Sequence, residues 1–85
     1  MNVYETPKFR KQRTKLKSEK ERSALKNAVQ SIVEAPLAGK QLKGEFKDFR
    51  GLRYFVEGQE QRLIYKIEGS ALYLLSFGPR EGVYQ

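Results

Sequence analysis

Six cations and one phenol in the second half of the sequence carry the chemistry open to it: Lys43, Lys47, Arg50, Arg53, Arg62, Arg80 and Tyr84. Arg53 lies in the alternating run Leu52-Arg53-Tyr54-Phe55-Val56, which puts Arg53 and Phe55 on one face of a strand. Arg62 opens a second alternating run, residues 62–67, and shares its face with Ile64 and Lys66. If the two strands pair, Arg53 and Arg62 look outward from the same side, and Arg80 and Tyr84 follow the end of the next strand. Guanidinium forks bind phosphate oxygens in pairs, and Phe55 or Tyr84 could stack on an unpaired base, so the set suits single-stranded nucleic acid. The plainer reading is that these cations are solvated and only keep a sheet face soluble. For such a groove to cleave RNA, a base must take the 2′-OH proton, cations must stabilise the charged phosphorane, and an acid must protonate the leaving 5′-oxygen. Tyr84 or a lysine such as Lys43 or Lys47 could be the base only if neighbouring cations lower its pKa, whereas an arginine suits charge stabilisation.

Histidine and cysteine are both absent, which excludes histidine general bases, histidine-dependent nucleophiles, disulfides and the usual zinc ligand sets. No cofactor or metal is expected. The net charge of +7 favours a polyanionic partner. The excess is concentrated at one end: residues 1–26 hold nine cations, Lys11, Arg13 and Lys15 among them, against Glu5, Glu19 and Glu21. This basic run suits a phosphate backbone, though a solvated helix face would look the same. No apolar run is long enough to span a membrane, and the basic start lacks an apolar stretch behind it, so a cytoplasmic protein is expected.

These residues need a scaffold, and 85 residues allow a single domain over 1–85. A short strand, Asn2-Val3-Tyr4-Glu5, leads to Thr6-Pro7, a preferred cap followed by a residue suited to the first helical position, so a helix is predicted from there to about Lys17. Phe9 and Leu16 are its thin apolar stripe, and with the basic surface around them they would suit an acidic partner segment. Ser18-Glu19-Lys20-Glu21 is a capping box that opens a second helix, where Leu25, Ala28, Val29, Ile32 and Val33 form a continuous stripe until Pro36 ends it. Strands follow, separated by turns at Gly58 and Gly69 and closed by Gly78-Pro79. The expected fold is α+β: a short N-terminal strand, a helical hairpin and a three-stranded antiparallel meander, forming one sheet of about four strands. One face is covered by helices and the other is open to solvent. Tyr65 and Tyr73 read as core aromatics.

The order and spacing of Leu42-Lys43-Gly44, Phe49-Arg50-Gly51-Leu52-Arg53-Tyr54, Arg62-Leu63-Ile64-Tyr65-Lys66-Ile67 and Ser76-Phe77-Gly78-Pro79-Arg80-Glu81-Gly82-Val83-Tyr84 resemble the RelE/ParE superfamily of type II toxin–antitoxin toxins. The resemblance implies a microbial RNase-like fold and a small cytoplasmic toxin neutralised by a cognate antitoxin. Its RelE branch cleaves mRNA on the ribosome by 2′-OH attack, with basic residues and a C-terminal tyrosine. Arg62, Arg80 and Tyr84 fall on that pattern, which makes them with Arg53 the implied catalytic set. Lys43, Lys47, Arg50, Phe55, Lys11, Arg13 and Lys15 are the implied RNA contacts. The chain departs from the RelE lysine pair, with Arg53 in one place and Phe55 in the other. The ParE branch, which shares the fold and poisons DNA gyrase, is the alternative, together with a non-toxic member that only binds its antitoxin.

Overall fold

The computed structural model of the protein describes residues 1–79, so Arg80 and Tyr84 lie outside the described residues. Thr6 is extended and its hydroxyl accepts the Phe9 N–H at 3.2 Å, opening α1 at Pro7–Thr14. Ser18 accepts the Glu21 N–H at 3.4 Å and opens α2 at Glu19–Glu34. The first helix is shorter than expected, because the Thr14 hydroxyl donates to the Lys11 carbonyl and the Lys15 N–H tightens onto the Gln12 carbonyl. Leu16 is thereby released from the helix and packs half-buried against the core.

The sheet has five strands: β1 Asn2–Glu5, β2 Lys40–Gln41, β3 Arg50–Val56, β4 Gln59–Glu68 and β5 Ala71–Pro79. Their order is β1-β5-β4-β3-β2, with β1 parallel to β5 and every other pair antiparallel. The strand β2 was not expected; at two residues it is too short to show alternation. A 3₁₀ turn at Gly44–Phe46 joins it to β3. The β3–β4 turn is tighter than the sequence suggests, with Glu57 (φ 49°) and Gly58 (φ 84°) both left-handed, as a two-residue hairpin of the right-handed twist requires.

The two helices cover one face, α1 against β5 and α2 against β3 and β4. Phe9, Leu25, Ala28, Ile32, Leu63, Tyr65, Leu72, Leu74 and Phe77 form the core there, and Phe9 meets Phe77 edge to face at 5.2 Å. The phase of β5 changes halfway. Tyr65 pairs with Leu74 but Ile64 pairs with Ser76, so Leu75 is an extra residue, a bulge that moves the core positions from Leu72 and Leu74 to Phe77. The Leu75 carbonyl accepts the Thr6 hydroxyl at 3.1 Å. Beyond the end of β1, Gln12 takes over as a surrogate strand: its side-chain amide donates to the Phe77 carbonyl and accepts the Phe77 N–H, both at 3.1 Å.

Two expectations fail on the opposite face. It is not open throughout, since Ile64 and Ser76 are buried there and Phe46, Phe49 and Leu75 gather around them. Tyr73 is not a core residue: it lies between Leu72 and Leu74 on this outer face, half-exposed and stacked on Tyr4 at 5.4 Å.

Candidate nucleic-acid interface

The antiparallel register makes Arg53 and Arg62 direct partners, and Gly78 of β5 is the next residue in the same row. Like charges opposed across a ladder repel, and a carboxylate, Glu60, lies beside Arg53. Around it the surface is kept low. A side chain at Gly78 would meet nothing within 4 Å among the described residues. Gly51, one row away, lies beneath Leu42 and Ile64. A groove of about 490 Å³ results, lined by Ala38, Lys40, Gly51, Leu52, Arg53 and Arg62. Arg53 is 62% exposed on its side chain, and Phe55, two residues on along the same face, is 57% exposed.

Two further residues on this face of the sheet escaped the sequence reading. Lys40 pairs with Gly51 and stands exposed on the Arg53 side of the sheet, in the strand too short to recognise. Glu60 reads as a turn residue but belongs to β4, opposite Phe55 and on the face of Arg62. Its Oε1 lies 3.6 Å from Arg53 Nη1, and its side chain is 28% exposed. Counting by twos back from Arg62 would have found it.

Other residues expected at the site are elsewhere. Arg50 shares the parity of Leu52 and Tyr54 and pairs with Tyr65, so it faces the helix side, where its guanidinium donates to the Gly39 carbonyl at 2.8 Å. Lys47 lines a separate cavity of about 290 Å³ with Arg50, Asp48 and Gln41, and Lys43 is exposed just before the 3₁₀ turn. On α1, Lys11 and Lys15 are exposed, whereas Arg13 grips Glu5 through two nitrogens, at 2.5 and 3.1 Å. That hydrogen-bonded pairing holds the Glu5 carboxyl below the usual carboxylate range and raises the Arg13 guanidinium. Neither Tyr65, buried, nor Tyr54, partly buried, is a base at neutral pH: burial pushes Tyr65 up and drives Tyr54 to about 12.

The groove is held in place from the other side of the sheet. The Tyr65 hydroxyl donates to the Pro36 carbonyl at 2.6 Å and accepts the Gly39 N–H at 2.9 Å, which fastens the segment leading to Lys40.

A helical hairpin over one face of a β1-β5-β4-β3-β2 sheet is a fold this chain shares with solved bacterial toxins. A chain of the E. coli RelBE toxin–antitoxin complex superposes with a TM-score of 0.73 at 18% identity, over 92% of this chain and 94% of that one. YafQ from E. coli strain BL21(DE3) gives 0.62 at 20% identity, over 94% and 93%. A copper-bound mutant toxin from Helicobacter pylori gives 0.60 at 17% identity, over 95% and 96%. The chain belongs to the family of ParE-like toxins of type II bacterial toxin–antitoxin systems, whose model matches residues 3–85. No curated protein sequence matches it. Among the described residues, no helix is long and apolar enough to cross a membrane.

Proposed function

We propose that this toxin is a ribosome-dependent mRNA endonuclease that cuts by 2′-OH attack without metal or cofactor. The observation that carries the reading is the direct opposition of Arg53, exposed, and Arg62, half-buried, on the outer sheet face. A phosphodiester between two guanidinium forks is held through its non-bridging oxygens, and the forks stabilise the extra negative charge of the phosphorane. Lys40 extends the cationic floor, and the exposed Phe55 ring offers a stacking surface for an unpaired base. Arg80 and Tyr84 complete the proposed catalytic set. Lys11, Lys15, Lys43 and Lys47 are proposed to hold ribosomal RNA through its phosphates. A chain with neither histidine nor cysteine has arginine, lysine, tyrosine and carboxylate side chains for this work. A cognate antitoxin is the proposed neutralising partner, and the cytoplasm the place of action.

A second reading, inhibition of DNA gyrase by binding, is favoured by the ParE-like description of the family. Controlled expression with mapping of mRNA 5′ ends separates the two, with Arg62→Ala and Arg80→Ala as controls. Codon-phased cuts that vanish in both variants are the expected result. Growth arrest with intact mRNA and an induced DNA-damage response would overturn the nuclease in favour of gyrase. No arrest at all would leave an antitoxin-binding protein without toxicity.

A further inference from the structure

The proposed cleavage needs a base for the 2′-hydroxyl, and Tyr84 and the loop lysines are the candidates that the sequence reading names. The geometry points to Glu60 instead, an inference that rests on the endonuclease reading. Glu60 Oε2 is buried and has no hydrogen-bond partner among the described residues. A buried carboxylate oxygen without a donor weakens a fold, so stability gives no reason for it. Its other oxygen faces Arg53 at 3.6 Å, longer than the 2.7–2.9 Å of a tight charge-assisted bond, so this contact is loose. Arg53 is largely exposed and free to turn from Glu60 onto a phosphate in the groove. That exchange would uncover a carboxylate beside the gripped phosphate, where the adjoining ribose hydroxyl lies.

Glu60 then accepts the 2′-OH proton as the 2′-oxygen bonds to phosphorus. The bond from phosphorus to the 5′-oxygen breaks, and the 5′-oxygen takes a proton from water. The products are a 2′,3′-cyclic phosphate and a 5′-hydroxyl, and Glu60 returns its proton to solvent. The charged groups facing Glu60 are Arg53 from β3 and Arg62 from its own strand, with Lys40 of β2 further along the groove. The described part of β5 ends at Pro79, opposite Gln61, and brings no charge.

The test is single-turnover cleavage of mRNA on programmed ribosomes by the whole protein, comparing wild type with Glu60→Gln, Glu60→Asp and Arg53→Ala from mildly acidic to mildly alkaline pH. Glu60→Gln is expected to lower the rate about 10²–10⁴-fold with little change in half-saturation, and Glu60→Asp to recover part of it. The wild-type rate should fall on the acid side, and that limb should be absent from Glu60→Gln. Unfolding midpoints of the variants check that they fold. A Glu60→Gln rate within about threefold of wild type overturns the proposal. So does a loss equal to that of Arg53→Ala, not deepened in the double variant and with the acid limb intact, since Glu60 would then only position Arg53. Wild-type protein that leaves mRNA whole would refute the endonuclease reading itself, before any variant is compared.

Discussion

The Tyr65 hydroxyl and the Gly39 backbone meet at 2.9 Å, and a methyl group on Gly39 would lie 2.5 Å from that oxygen. Only glycine allows this approach, and the residue after it is Lys40. Tyr65→Phe leaves the Gly39 N–H and the Pro36 carbonyl without their partner and should cost about 1–3 kcal/mol in urea unfolding. Gly39→Ala, which forces a rigid ring to move, should also weaken RNA binding by displacing Lys40. Unchanged stability in both variants would show that the contact does not fasten the groove.

Lys40 itself is expected to act as a phosphate contact. Lys40→Ala should weaken single-stranded RNA binding and reduce the slope of log affinity against log salt by about 0.7, the release expected from one phosphate. Anisotropy titrations over a series of KCl concentrations read this directly. Arg50→Ala should leave the slope alone and lower stability, because its guanidinium is engaged by the Gly39 carbonyl.

The contrast between Lys40 and Arg50 shows how far the sequence could be read. The caps at Thr6 and Ser18 and the alternation of Leu63 and Tyr65 were legible because each is a local pattern with a local cause. Arg50 was misplaced by grouping cations along the chain, although its parity with Leu52 already pointed to the helix side. Lys40 had no such signal in a two-residue strand. The bulge at Leu75 was hidden because residues 71–75 are apolar on both faces, which leaves nothing to mark a change of phase, and Tyr73 was misread for the same reason.

The hairpin turn offers a gain in stability. Glu57 sits at φ 49°, where a side chain other than Asn, Asp or Gly is disfavoured. Glu57→Asn should stabilise the fold by several tenths to about 1 kcal/mol, read as a higher urea midpoint at unchanged m value. The loss of the Glu57–Lys20 ion pair takes little back, since both side chains are mostly exposed. A lower midpoint, with Lys20→Ala neutral, would mean that the turn tolerates Glu without strain.

Arg13 belongs to the fold before it belongs to any RNA contact. Its two hydrogen bonds to the Glu5 carboxylate tie α1 to the end of β1 and keep the Glu5 carboxyl ionised below its ordinary value of 4.5. A depressed carboxyl stabilises the folded state above the unfolded value, and that stabilisation disappears as pH falls through the lower folded value. The melting temperature of Glu5→Gln should therefore be below wild type near neutral pH, by the equivalent of about 0.2–1 kcal/mol for a pair whose arginine is 45% exposed, and should converge with it in acid. Arg13→Ala should show the same loss near neutrality and bind RNA as wild type does. Lys11→Ala and Lys15→Ala, with no such partner in α1 or β1, should do the reverse, lowering RNA affinity and its salt dependence while leaving the melting temperature in place.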